Sequence, residues 1–167
     1  MSEDANVAMH PTALVVKKSV AVDVDRQRAF DVFTTEVGAW WNPDHHNGDL
    51  PLKDVIIEAK VGGRCFNVQE DGKEFDWGSV LEWDPPGRVV LAWQLTGEWQ
   101  FDPNFVTEVE ITFTAASSER TIVDLEHRNL ERYGEAQEPV YASLDSDAGW
   151  GSTMRRFAAA AEGRPVT

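Results

Sequence analysis

The chain has 167 residues, enough for one domain with a substantial core. Its 29 acidic and 15 basic side chains leave a formal net charge of -14. That field repels phosphate backbones and anionic membrane surfaces, which argues against nucleic-acid binding. No apolar run is long enough to span a bilayer, which argues against integral membrane association. The single cysteine, Cys65, permits no intramolecular disulfide and suits a reducing cytoplasm.

Residues 1–12 are polar and irregular and read as a flexible tail. They lack the apolar stretch and basic start of a signal peptide. The domain is expected over residues 13–163, with a short tail over 164–167. Leu14 to Asp25 reads as a strand, with Val20, Val22 and Val24 on one buried face. Asp25 is placed to cap a short helix in which Ala29, Phe30 and Phe33 recur at helical spacing. Val37 follows one turn on, and Gly38 closes or kinks the segment. After Trp40 and Trp41, the run NPDHHNGDLPL is a loop by its Pro, Asn, Gly and Asp content.

Lys53 to Lys60 and Arg64 to Gln69 read as strands turned by Val61-Gly62-Gly63, and Asp71-Gly72 signals a further hairpin. The central hairpin is Glu74 to Gln94, reversed at Asp84-Pro85-Pro86-Gly87, where neither helix nor ladder can continue. Alternation puts Trp77, Ser79, Leu81 and Trp83 on one face of its first arm and Gly78, Val80 and Glu82 on the other. Both faces carry apolar residues, so which one turns inward stays open. The second arm presents Val89, Leu91, Trp93 and Leu95 together.

Gly97 to Asn104 connects to a strand whose Phe105, Thr107, Val109, Ile111 and Phe113 share a face. The next strand, Arg120 to Asn129, turns Thr121, Val123, Leu125 and His127 inward. Residues 130–144 read as loop grading into helix. The C-terminal helix runs from Asp145 or Ser146 to Glu162, with Trp150, Met154, Phe157 and Ala161 on one stripe. The expected fold class is α+β: a curved seven-stranded antiparallel sheet wrapped around a long C-terminal helix, with two short helices after the first strand. The space between sheet and helix can become a cavity.

This element order resembles the SRPBCC superfamily, also called START-like or helix-grip. Within it, the chain resembles the family of the C-terminal domain of the activator of the ninety-kDa heat-shock protein ATPase. The matching residues are Trp40-Trp41, Val61-Gly62-Gly63, Trp77-Gly78, Glu82 to Pro86 and Trp93. They continue with Thr107 to Val109, Thr112-Phe113, Leu125 to Arg128 and Gly149-Trp150. The resemblance covers residues 14–162. It implies a hydrophobic pocket for a lipid, sterol, polyketide or other small molecule. It also implies two alternatives, a co-chaperone-like interaction module and a cyclase or dehydrase-like enzyme. Only one domain of the activator is matched, so no substantial stimulation of chaperone ATPase is expected.

The expected ligand site is walled by Trp41, Phe66, Trp77, Trp93, Val109, Ile111, Trp150 and Met154, with His127 as its polar group. The plainer alternative is that the tryptophans fill a core and that His127 is a satisfied structural histidine. His45-His46 with Asp44 and Asp49 are weighed as metal ligands, but too few donors converge for a closed site, and no metal is expected. No cofactor is expected: there is no P-loop, and Gly62-Gly63 lacks the helix of a dinucleotide fingerprint. No catalytic residue is assigned, since no nucleophile motif is present. Asn67, His127 and Tyr141 are the polar groups a cyclase would use. The expected partner is a small hydrophobic molecule; oligomeric state is open, a homodimer included.

Overall fold

Seven strands form one curled antiparallel sheet in the order β1-β7-β6-β5-β4-β3-β2. They are β1 (Val16–Val22), β2 (Leu52–Ile57), β3 (Arg64–Gln69), β4 (Glu74–Asp84), β5 (Arg88–Trp93), β6 (Thr107–Ser117) and β7 (Arg120–Arg128). The computed structural model describes residues 14–167, so the tail expected over 1–12 lies outside the described residues. Between β1 and β2 lie helix α1 (Arg26–Phe33) and a 3-10 turn, Val37–Ala39, the two expected short helices. Asp25 caps α1 as its sequence position predicts, accepting from the Arg28 N–H at 2.7 Å.

The segment after β7 is more structured than its mixed composition suggests. A 3-10 stretch, Leu130–Ala136, leads into helix α2 (Gln137–Asp145). A π-helical turn, Asp147–Gly151, then joins α2 to helix α3 (Ser152–Ala161). Ser146 caps the turn, accepting from the Gly149 N–H at 3.1 Å. The C-terminal helix therefore begins where the sequence places it, but its first turn is wide. Gly149 departs from helical geometry (φ -89°, ψ -124°). A Cβ there would lie 2.4 Å from the Ser143 carbonyl oxygen, so only glycine fits.

The concave face holds the core. The alternation of β6 and β7 is realised: Thr107, Val109, Ile111 and Phe113 are buried, as are Thr121, Val123, Leu125 and His127. Phe157 of α3 packs against Phe33 at 5.0 Å between ring centroids and against Trp40 at 5.6 Å. Edge and tilted ring contacts of this kind add to simple area burial.

Strict alternation fails on β4, which carries two bulges. Cys65 pairs with Gly78 but Phe66 pairs with Asp76, leaving Trp77 as an extra residue. Val80 pairs with Leu91 and Glu82 with Val90, leaving Leu81 as another. Each extra residue shifts the inward phase by one. Trp77, Val80 and Trp83 thus meet the core, while Leu81, grouped with Trp77 by alternation, is 38 % exposed. The convex face carries an ion ladder: Arg128 meets Glu108, Glu110 and Glu126 at 3.0, 2.6 and 3.2 Å, and Arg88 bridges Glu110 to Glu82.

Candidate functional site: a four-tryptophan cavity

Trp41, Trp77, Trp93 and Trp150 come from four separate elements and close into a ring. Trp41 and Trp77 are stacked, 5.9 Å between centroids and 11° between planes. Trp77 to Trp93 is 5.8 Å, Trp93 to Trp150 is 5.7 Å, and Trp150 to Trp41 is 6.1 Å. Each is held in place by its local structure. Trp41 follows the 3-10 turn; Arg156 of α3 donates to the Trp40 carbonyl at 2.8 Å and fixes that turn against the helix. Trp77 is the bulged residue of β4. Its neighbour Gly78 permits the bulge, because a Cβ there would fall 2.0 Å from the Ala92 carbonyl oxygen. Trp93 ends β5, and Trp150 sits on the π-helical turn.

These rings line an open-mouthed cavity of about 370 Å³, within the range of small-molecule sites, roughly 300–1,000 Å³. The rest of its wall comes from the 42–50 loop (Asp44, His45, His46, Asn47), from Asn67, from Leu95 and Trp99, and from the α2–α3 junction (Ser143, Leu144, Ser146, Ala148, Gly149, Thr153). No lysine or arginine contributes to it.

His127 is placed behind this wall, fully buried, and its hydrogen bonds define its state. The Trp150 indole N–H donates to its Nδ1 at 3.1 Å, so Nδ1 carries no proton. Nε2 is then the protonated nitrogen and donates to Thr107 Oγ1 at 2.8 Å, which in turn donates to the Trp93 carbonyl at 3.4 Å. Burial pushes its pKa down to about 3. His127 is therefore a neutral, fully committed residue that fixes Trp150 and the end of β5; the plainer of its two sequence readings holds.

Of the nine residues singled out from sequence, Trp41, Trp77, Trp93 and Trp150 line the cavity. Val109, Ile111 and Met154 are buried in the core beyond it, with His127. Phe66 lies on the convex face: Cys65, Asn67 and Gln69 take the inward positions of β3, and the Arg64 guanidinium covers the Phe66 ring at 4.1 Å. Tyr141 packs on the core outside the cavity wall.

The sequence reading did not single out His46 as part of an organic site, nor Trp99. The histidine pair drew attention only as metal donors. Among the described residues, no group of three or more His, Cys, Asp or Glu converges. His46 Nε2 donates to the Leu50 carbonyl at 2.9 Å. Partial burial holds His45 below the ordinary imidazole range, with Asp44 pulling against it and the Arg156 charge adding to it.

The polar inventory of the wall is unbalanced. Trp41 donates to the His45 carbonyl at 2.8 Å and Trp150 to His127. Trp77 Nε1, Trp93 Nε1, Asn67 Oδ1 and His46 Nδ1 have no protein partner. Among the described residues, four of the five unpartnered buried side-chain polar atoms thus belong to residues of this one wall.

A curled antiparallel sheet closed on a terminal helix, with a cavity between them, defines an α+β helix-grip domain. Residues 23–162 match the family described as Activator of Hsp90 ATPase homolog 1-like protein, and the chain belongs to that family. No curated protein matches it. Among solved structures, the chain is similar to the anthrahydroquino-γ-pyrone synthase Txn09, complexed with SUM. The identity is 36 % over 89 % of this chain and 97 % of that one, with a TM-score of 0.62. It is also similar to CalC, a self-sacrificing resistance protein from Micromonospora echinospora, at 28 % identity over 88 % of this chain and 93 % of that one, TM-score 0.63. The Aha1 dimer from Colwellia psychrerythraea, at 16 % identity, 89 % and 96 % coverage and TM-score 0.60, shares the fold. No helix among the described residues is long and apolar enough to cross a membrane.

Proposed function

We propose that the four-tryptophan cavity binds a planar, largely apolar small molecule whose fused aromatic rings carry carbonyl and hydroxyl oxygens. The observation that carries this reading is the ring of four indoles from separate elements on one cavity wall, flat apolar surfaces that fused aromatic rings match. The oxygens of such a ligand would meet the polar side chains of the same wall, Asn47, Ser143 and Ser146 among them.

The rings contribute the larger share of affinity. Removing about 250 Å² of aromatic surface from water contributes roughly 6 kcal/mol before the costs of association. No lysine or arginine lines the wall, so apolar burial rather than an ion pair would hold the ligand. The 36 % identical relative, named as a synthase of an anthrahydroquinone-bearing pyrone, supports the same ligand class. The reading fits a cytoplasmic protein, where Cys65 stays reduced.

The test is isothermal titration with 1,8-dihydroxyanthraquinone, read in parallel by tryptophan quenching. Saturable one-to-one binding is the expected result. A folded protein that shows none would overturn the proposal.

A second reading, ring closure of a polyketide-like substrate, is favoured by the 36 % identical synthase relative. It predicts that such a substrate is converted, read by product analysis, where simple binding returns it unchanged.

A further inference from the structure

We infer that Trp99 is the outer clamp of the cavity and sets its preference for ligands of three or more fused rings over two; this rests on the function proposed above. Trp99 lines the cavity yet is 37 % exposed, whereas Trp77, Trp93 and Trp150 are buried and Trp41 half-buried. It therefore stands at the mouth. Each of the other six tryptophans packs against another ring; among the described residues, Trp99 packs against none. It is the one tryptophan of the wall without a partner ring among the described residues.

The backbone of Trp99 is the second observation. Its φ is +62°, in the left-handed region that glycine and asparagine tolerate and a bulky aromatic rarely adopts. The turn around it is firmly built. Trp99 N–H donates to the Thr96 carbonyl at 2.9 Å, and Thr96 N–H to the Gln100 carbonyl at 2.8 Å. Tyr133 O–H donates to the Leu95 carbonyl at 2.8 Å and anchors the base. Gly97 sits so close to Ala136 that a Cβ would lie 3.1 Å from the alanine methyl.

Nothing in this turn needs an indole. Glycine would relieve the backbone, and a polar side chain would suit the solvent. What tryptophan adds is a flat face over the entrance. A two-ring ligand is held by the inner four tryptophans alone. A third fused ring extends toward the mouth, where the indole of Trp99 can cover it.

The experiment compares wild type, Trp99→Gly and Trp99→Asn by isothermal titration and thermal unfolding. The probes are 1,8-dihydroxyanthraquinone (three rings) and 1-hydroxy-2-acetonaphthone (two rings). The expected result is a loss of affinity of about tenfold or more for the three-ring probe and less than about threefold for the two-ring probe, with Tm unchanged or raised. Equal losses for both probes, no loss for either, or a fall in Tm that accompanies the loss would overturn the clamp while leaving the proposed ligand class intact. A wild type that binds neither probe would overturn both.

Discussion

Lowering the pH toward 5 should weaken the native state through His127, by an amount the structure fixes. In the folded protein Nδ1 accepts the Trp150 N–H, and Nε2–H is spent on Thr107. A second ring proton would set N–H against N–H in a fully buried site without counter-charge. Burial accordingly pushes the pKa from 6.5 down to about 3. Between those values the unfolded chain binds a proton that the native state refuses. Stability from this residue is therefore complete above about pH 6.5 and falls as the pH drops, by about 1.4 kcal/mol per unit.

Going from about pH 7.5 to about pH 5 crosses 1.5 units of that window, a loss of roughly 2 kcal/mol. The carboxylates held low by hydrogen bonds, Glu110 chiefly by Arg88 and Glu162 chiefly by the Asp23 N–H, lose their contribution as the pH falls through and below the carboxylate range. They add little above pH 5, as the acidic end of that window lies lower. Urea unfolding at both pH values, followed by tryptophan emission, gives the two free energies. In His127→Gln the pH-dependent part should shrink by about 2 kcal/mol, although the variant is less stable throughout. Equal losses in variant and wild type would refute the assignment of His127 as a buried neutral base.

Trp41→Ala should weaken binding of 1,8-dihydroxyanthraquinone by about tenfold or more at modest cost in Tm, because this ring is half-buried and lines the cavity; titration and thermal melts report both. Phe66→Ala should leave that binding unchanged, since Phe66 lies on the convex face under Arg64. Gly78→Ala should cost about 3 kcal/mol or more in urea unfolding, because its Cβ would overlap the Ala92 carbonyl across the β4–β5 pair. Cys65, buried and with its thiol pushed up by desolvation, should resist a chromogenic disulfide reagent in native buffer and react once unfolded; prompt native-state labelling would contradict its placement.

The sheet was legible because β1, β6 and β7 obey a period of two and bury one face, and α3 because its stripe obeys the helical period. The α2 segment was not, since its short run QEPVYASLD carries only two buried anchors, Val140 and Leu144. Four of the tryptophans could be named as a wall because large rings from separate elements must meet something. The face of β4 could not be read, because a bulge is decided by its neighbours: Trp77 turns inward only because Cys65 and Phe66 take up different registers. His127 looked like a ligand group from its inward position alone. Its true partner, the indole of Trp150, lies 23 residues away and is invisible until the chain folds. Phe66 was placed at the site by hydrophobicity, although the period of β3 puts it on the opposite face from Asn67. Trp99 escaped notice because it sits in a connection whose composition reads as loop.

The wide turn at Asp147–Gly151 frees one cavity-edge position from the packing that a continuous helix would impose on it. On one side, Val140 and Leu144 hold α2 to the body of the protein; on the other, Thr153, Met154 and Phe157 hold α3. Leu144 and Thr153 from these two sets also line the cavity, together with Ser146, Ala148 and Trp150. The break falls at Gly149, so Trp150 stays in register with Met154 and Phe157, while Ala148 stands before it, exposed and at the cavity edge. Substitutions at Ala148 can therefore remodel what the cavity accepts while the framework stays as it is, so one scaffold can diversify in specificity without first losing and then recovering its stability.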